Sequence, residues 1–150
     1  MRANADLFIV KTLIVDDDFT SRLVLNTFLS RYGECHIAVN GAEAVEAFRS
    51  ALNAGQPYDL VCMDLMMPIM NGEDAVAQIR RLEECRGVFS DKGAKIFMTS
   101  AVDSITDVMN CFGELCDVYL VKPINLAELR GHIRSYGLIP ETAELVSQPA

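Results

Sequence analysis

The sequence has 150 residues, of which 51% are hydrophobic and 23% are charged, and this balance predicts one globular domain with a substantial core. The net charge of −8 argues against direct nucleic acid binding, because phosphate contacts need clustered Lys and Arg. No apolar run approaches the roughly 20 residues of a membrane span, and the run at residues 7–10 is too short for a signal peptide. We therefore expect a cytoplasmic protein without membrane insertion.

Strands and helices alternate along the chain. Apolar, β-branched runs predict strands over residues 8–15, 35–39, 58–63, 95–98 and 118–121. Helical spacing follows each strand, over residues 20–32, 44–52, 73–85, 103–112 and 126–136, with Arg80, Arg81, Glu83 and Glu84 expected on the solvated side of the third helix. Strict alternation with near-continuous apolar strands predicts a parallel α/β sheet covered by helices on both faces.

The five cysteines have no CxxC pair and no His at zinc spacing. They are Cys35, Cys62, Cys85, Cys111 and Cys116. Most fall inside apolar patterns, so we expect free, buried thiols in a reducing compartment.

Polar residues stand where the predicted strands end. Asp16 and Asp17 follow the first strand, Asp64 the third, Thr99 the fourth and Lys122 the fifth. The carboxyl ends of parallel strands meet at one edge of the sheet, where such folds bind ligands. Carboxylates crowded together repel one another unless a cation lies between them, and hard oxygen ligands favour Mg²⁺. With Lys122 and the Thr99 hydroxyl, this edge predicts a pocket for a phosphoryl group, with a carboxylate as its nucleophile.

The order of these residues matches a known family. The matching motifs are Val15-Asp16-Asp17, then Asp64-x-x-Met67-Pro68-x-Met70-Asn71-Gly72, then Thr99, then Lys122-Pro123. Together they resemble the receiver domain of two-component response regulators (the CheY-like domain). The resemblance implies a flavodoxin-like, doubly wound (βα)5 sheet with strand order 2-1-3-4-5. We expect this domain over residues 1–137 and a flexible tail over residues 138–150.

The resemblance also implies a role for each motif residue. Asp64 would be the phospho-acceptor, and Asp17 and Asp64 would bind Mg²⁺ directly, with the Met66 carbonyl as a third ligand and Asp16 acting through water. Thr99 would hydrogen-bond the phosphoryl oxygens and Lys122 would pair with them. Two further features follow: Tyr119 falls at the switch aromatic that turns inward as Thr99 moves, and Lys122-Pro123 matches a cis peptide bond.

The family likeness implies a signalling switch that catalyses only its own phosphorylation and dephosphorylation. Its donor would be a histidine kinase or a histidine phosphotransfer protein. Its output would be a protein contact through the face of the fourth helix, fifth strand and fifth helix, and phosphorylation-dependent dimerisation is left open. Met66 and Ala101 hold the positions that flank the attacking water in this family, and neither side chain can orient it. We therefore expect slow self-dephosphorylation.

Two other interpretations remain. Asp16-x-Asp18-x-Thr20 also fits the nucleophile motif of haloacid-dehalogenase-like phosphatases, which would make Asp16 the nucleophile. That interpretation leaves Asp64 unexplained and lacks an acidic pair after Lys122. A scaffold that keeps the fold without phosphorylation is the other, although every polar residue that the chemistry needs is present.

Overall fold

Five parallel strands form one sheet in the order β2-β1-β3-β4-β5, as predicted. The computed structural model describes residues 9–89, 92–101 and 115–140. The strands are β1 (Thr12–Val15), β2 (Cys35–Ala38), β3 (Leu60–Asp64), β4 (Lys95–Ser100) and β5 (Val118–Val121). The helices are α1 (Phe19–Leu29), α2 (Gly41–Asn53), α3 (Gly72–Cys85) and a C-terminal helix (Leu126–Ser135). The helix predicted over residues 103–112 and the tail beyond residue 140 lie outside the described residues.

Each of the described helices begins at an Asx cap. Asp18, Asn40, Asn71 and Asn125 each accept a hydrogen bond from the backbone N–H three residues later, at 2.9–3.0 Å. Such a cap satisfies one of the amide groups that a helix start leaves without a partner. These four capping residues therefore determine the position in the sequence at which each described helix begins.

Side chains of the central strand alternate between two cores. Val61 and Met63 point to the face covered by α2 and α3, whereas Leu60 and Cys62 point to the face covered by α1 and the C-terminal helix. All four are at most 1% exposed. A strand buried on both faces has no solvated side, so the polar residue that ends it, Asp64, lies at the sheet edge.

The packing of α3 corrects one sequence expectation. Arg80 and Glu83, which we assigned to the solvated side, are only 8% and 3% exposed. They continue the buried row of Val76 and Ile79 at the i, i+3, i+4, i+7 spacing of one helix face. Arg81 and Glu84 are exposed, as expected.

Smaller differences concern the ends of elements. β1 begins at Thr12 rather than at residue 8. Leu138 and Ile139, which we placed in the tail, pack against the core beside the C-terminal helix. The four described cysteines are free thiols, as expected, but only Cys62 is buried: Cys35 and Cys116 are half-buried and Cys85 is exposed. Within the described ranges, no helix has the length and apolar character needed to span a bilayer.

Candidate functional site

The first part of the site is the turn from β1 into α1. Asp16 is fully buried, and its Oδ1 accepts a hydrogen bond of 2.9 Å from the Asp18 amide. Asp18 in turn caps α1 by accepting from the Ser21 amide, a bond that lowers the pKa of Asp18. Asp17 is exposed and lies between them. The turn therefore presents two carboxylates at the carboxyl edge of β1.

The second part is the end of β3. Asp64 is 4% exposed and pairs in register with Thr99 of β4, which is 1% exposed. The amide of Leu65 donates to the Thr99 carbonyl at 2.9 Å. This hydrogen bond extends the pairing with β4 by one residue beyond the end of β3. Gly72 packs directly against the backbone of Asp64: a Cβ atom at Gly72 would lie 2.2 Å from the Asp64 carbonyl oxygen. Only glycine allows α3 to begin this close to Asp64.

Three carboxylates converge at this edge. Oxygen atoms of Asp16, Asp17 and Asp64 lie within 4.8 Å of one another. Lys122 Nζ, which enters from the end of β5, lies 2.8 Å from Asp16 Oδ2 and 3.4 Å from Asp64 Oδ1. One lysine balances only part of the negative charge, and carboxylate oxygens are the ligands that Mg²⁺ prefers. This donor set fits a hard divalent cation.

The charges of the cluster and its burial shift the pKa values of Asp64 and Lys122. Burial, and after it the neighbouring charge of Asp16, raise the pKa of Asp64 to about 6, although Lys122 acts to lower it. Burial by itself would lower the pKa of Lys122, but its pairing with Asp16 and Asp64 raises that pKa overall. The site therefore stores repulsion that a cation would relieve.

The remaining predicted residues lie in β5 or in the segments that follow β3 and β5. The Lys122–Pro123 peptide bond is cis. Tyr119 lies in β5, half-buried, and pairs in register with Met98. Met66 follows Asp64 by two residues, and its side chain is 64% exposed.

The phosphatase interpretation is not favoured by this geometry. The second acidic residue of its motif, Asp18, is exposed and caps α1 instead of facing the cluster. Asp16, the nucleophile of that interpretation, is fully buried and paired with Lys122. Asp64, which that interpretation leaves unexplained, lies in the cluster beside Asp16 and Asp17.

A buried ion network at the opposite edge of the sheet escaped the sequence analysis. Arg80 donates to Glu83 at 2.8 Å, to Asp117 at 3.1 Å and to the carbonyl groups of Leu115 and Ala94. The network joins α3 to the starts of β4 and β5. The signal that could have found it is the i, i+3 spacing of Arg80 and Glu83 on the apolar row of α3.

The loop after Asp64 contains a second feature that the sequence analysis missed. Ile69 has a φ of +71°, a conformation that β-branched residues rarely adopt. The Met70 amide donates to the Pro68 carbonyl at 2.7 Å, so Ile69 is the central residue of a γ-turn. A residue held this way costs about 1–3 kcal/mol.

Comparison with known proteins identifies the family of this arrangement. The family model described as "Response regulator receiver domain" matches residues 12–134. The chain is 32% identical over 133 residues to hybrid signal transduction histidine kinase G of Dictyostelium discoideum, covering 87% of this chain and 4% of that protein. It is 28% identical over 153 residues to the oxidative stress response two-component system protein SSK1 of Candida albicans, covering 85% of this chain and 22% of that protein. The chain thus spans less than a quarter of these relatives.

Solved structures show the same fold. The receiver domain of Saccharomyces cerevisiae Ssk1, crystallised with the histidine phosphotransfer protein Ypd1, matches with a TM-score of 0.71 and 32% identity, covering 85% of this chain and 88% of the solved one. The receiver domain of the Arabidopsis thaliana histidine kinase CKI1, complexed with Mg²⁺ and BeF₃⁻, matches with a TM-score of 0.71 and 28% identity, covering 88% and 95%. The family match spans most of the chain, and the strand order and acidic edge agree with it. The chain therefore belongs to the response regulator receiver domain family.

Proposed function

We propose that this receiver domain accepts a phosphoryl group on Asp64 from a phosphohistidine and then changes conformation to control a partner protein. The donor is a histidine kinase or a histidine phosphotransfer protein. The observation that carries the proposal is the convergence of Asp16, Asp17, Asp64 and Lys122 at one point of the sheet edge. The Ssk1 receiver, which resembles this chain, forms a complex with a phosphotransfer protein, and this supports the choice of donor.

Mg²⁺ is the cofactor of the proposed reaction. Asp17 and Asp64 would hold it directly together with the Met66 carbonyl, and Asp16 would hold it through water. When bound, the cation offsets the repulsion among the carboxylates and stabilises negative charge on the phosphoryl oxygens. The acidic cluster of Asp16, Asp17 and Asp64 is the observation that supports this assignment.

Asp64 is the nucleophile. Its pKa of about 6 leaves the carboxylate ionised over the acid by about ten to one at pH 7. A carboxylate oxygen attacks phosphorus, the P–N bond to the donor histidine breaks, and the electron pair returns to that histidine. The product is an acyl phosphate on Asp64. Lys122 is already within 3.4 Å of Asp64 and would pair with the phosphoryl oxygens.

Thr99 and Tyr119 form the switch in this proposal. Thr99 pairs in register with Asp64, so its hydroxyl is on the strand position nearest to the new phosphoryl group. Movement of Thr99 would free space for Tyr119, which is one strand away on β5. The output is a protein contact on the face to which β5 and the C-terminal helix contribute. The domain acts as a switch rather than as an enzyme for other substrates.

Phosphotransfer from a protein donor tests the proposal. Ypd1 of Saccharomyces cerevisiae, labelled on its histidine with ³²P, would be mixed with the wild-type domain, with Asp64→Asn and with Glu84→Gln, each with Mg²⁺ or with EDTA. We expect label on the wild-type and Glu84→Gln proteins with Mg²⁺ only, and none on Asp64→Asn. Glu84 is exposed on α3, so its variant controls for loss of a remote charge. Label on Asp64→Asn at the wild-type rate would overturn the proposal.

A second assay removes the protein donor. Acetyl phosphate delivers a phosphoryl group without a docking surface, and beryllofluoride with Mg²⁺ mimics the acyl phosphate. We expect both to act on the wild-type domain and neither on Asp64→Asn. Sizing with and without beryllofluoride then tests for dimerisation. A wild-type domain that responds to neither reagent would favour the scaffold interpretation.

A further inference from the structure

A cleft between α2 and α3 is lined by side chains that the acidic site does not use. Its volume is about 250 Å³, and its lining consists of Arg49 from α2 and of Gln78, Arg81, Leu82 and Cys85 from α3. The four α3 residues follow the i, i+3, i+4, i+7 spacing, so they form one stripe along that helix. Arg81 and Cys85 are exposed, whereas the other three are half-buried. The cleft is therefore open to solvent along one rim.

The charge of this cleft is opposite to that of the whole protein. Asp and Glu outnumber Lys and Arg by 21 to 13 in the sequence, yet among the described residues two guanidinium groups and no carboxylate line the cleft. Arg49 pairs with the exposed Glu46. Arg81 forms no ion pair or hydrogen bond with any residue in the described ranges. A guanidinium group carries five N–H donors, so both arginines can still bind an oxyanion.

Helix stability does not account for these two arginines. Basic side chains stabilise a helix when they lie in its last turn, where the peptide dipoles leave partial negative charge. Neither α2 nor α3 has a basic residue in its last turn. Arg86, which follows α3, donates to the Leu52 carbonyl at 3.3 Å and so caps the end of α2. Arg49 and Arg81 are not needed for that purpose and line the cleft instead.

The other lining groups favour an organic anion over an inorganic one. Within the described residues, Gln78 Nε2 donates only to the Met70 sulfur, at 3.7 Å, and a thioether is a weak acceptor. A carboxylate beside Gln78 would give this half-buried amide a stronger partner. Leu82, which also packs against the core, offers apolar surface for a short hydrocarbon chain. Sites for drug-sized ligands have roughly 300–1,000 Å³, so this cleft suits a smaller molecule.

We propose that the α2/α3 cleft binds a small organic dicarboxylate. One carboxylate pairs with Arg49, the other pairs with Arg81 and Gln78, and the methylene chain lies on Leu82. Guanidinium groups bind carboxylates through paired N–H···O bonds. Two arginines on neighbouring helices suit a ligand with two acidic groups, because one molecule then pairs with both walls. Binding requires neither Mg²⁺ nor a phosphoryl group, so the inference is independent of the proposed function.

Titration of the ¹⁵N-labelled chain with glutarate tests the inference. The buffer contains EDTA, so that no cation at the acidic site can hold the anion. We expect saturable shifts of the backbone amides around residue 49 and over residues 78–85, with a Kd on the order of 1 mM, as two charge-assisted pairs imply. Butyrate, which has one carboxylate, and inorganic phosphate, which has no hydrocarbon chain, should each bind at least about tenfold more weakly.

Variants separate the cleft from charge in general, and the spectrum of each free variant reports whether it is folded. Arg81→Met should raise the Kd for glutarate at least about tenfold and Gln78→Met about threefold, because the first removes a charge-assisted pair and the second a neutral donor. Arg31→Met is the matched control: Arg31 is exposed and follows α1, on the opposite face of the sheet, so its variant should bind as the wild type does. Glutarate should also slow alkylation of Cys85 by iodoacetamide, located by peptide mass spectrometry, without slowing that of the half-buried Cys116.

Three results would overturn the inference. The absence of saturable shifts at the cleft would show that it does not bind glutarate. An unchanged Kd in Arg81→Met would show that this arginine does not contact the ligand. Phosphate or butyrate bound as tightly as glutarate would reduce the cleft to a general anion-binding surface. By contrast, failure of phosphotransfer with glutarate binding intact would refute the proposed function alone.

Discussion

The charge on Asp64 should destabilise the cation-free fold, and its removal should stabilise it. Asp64 has a pKa of about 6 in the folded protein against 3.8 for an ordinary Asp, mainly because of burial and then because of Asp16. The folded state therefore binds the proton more tightly than the unfolded state. Stability falls as the pH rises from about 4 to 6, and the whole cost is present above pH 6.

The size of this cost follows from the shift. One pKa unit corresponds to 1.36 kcal/mol, so a shift of roughly two units gives about 3 kcal/mol as an upper bound. Partial solvent access at the mouth of the site reduces it, and we expect Asp64→Asn to raise the free energy of unfolding by about 1–3 kcal/mol at pH 7.5 in EDTA. Mg²⁺ should shrink the difference, because it binds the wild-type cluster and stabilises it.

Urea denaturation at pH 7.5 and pH 4, with EDTA or with Mg²⁺, measures both effects. Glu84→Gln is the control, since it removes one exposed charge far from the cluster and should change stability by less than about 0.5 kcal/mol. Asp64→Asn less stable than the wild type in EDTA would refute the reasoning. So would an advantage that is the same at pH 4 as at pH 7.5.

Three further predictions concern packing and lifetime. Arg80→Met should lower the free energy of unfolding, measured in urea, by about 3–5 kcal/mol, because it leaves the carboxylates of Glu83 and Asp117 without their buried partner. Arg81→Met is the control and should be nearly neutral. Equal effects of the two substitutions would contradict a stabilising role for the Arg80 network. Gly72→Ala should abolish labelling by acetyl phosphate, since a Cβ atom would lie 2.2 Å from the Asp64 carbonyl oxygen, whereas Gly131→Ala, with open space around it, should raise stability by about 0.5–1 kcal/mol. Phosphorylated wild-type protein, freed of donor, should lose label slowly because Met66 cannot orient water, and loss within seconds would contradict this.

Much of the fold could be predicted because local signals agreed with one another. Apolar runs bounded by turn residues gave the strands, and alternation with helical spacing allowed only a parallel sheet. Asp16 and Lys122 directly follow strands and Asp64 ends one, so placing the strands was enough to bring the three side chains to one edge. The strand order itself came from the family resemblance rather than from the pattern.

The parts that sequence reasoning missed depend on tertiary contacts. Arg80 and Glu83 are charged, and composition alone assigns such residues to solvent; only their partners at Asp117 and Ala94 explain their burial. Ile69 has no sequence feature that predicts a positive φ. Its conformation is set by hydrogen bonds from α2 and α3 to the loop, which a linear pattern does not contain.

The most direct test of the account is to map the phosphoryl group on the wild-type protein. After labelling by Ypd1 with Mg²⁺, borohydride reduces an acyl phosphate of aspartate to homoserine, which mass spectrometry locates to a single residue. The account predicts homoserine at position 64 and unchanged aspartate at positions 16 and 17. Homoserine at Asp16, or label that remains on a histidine, would contradict it.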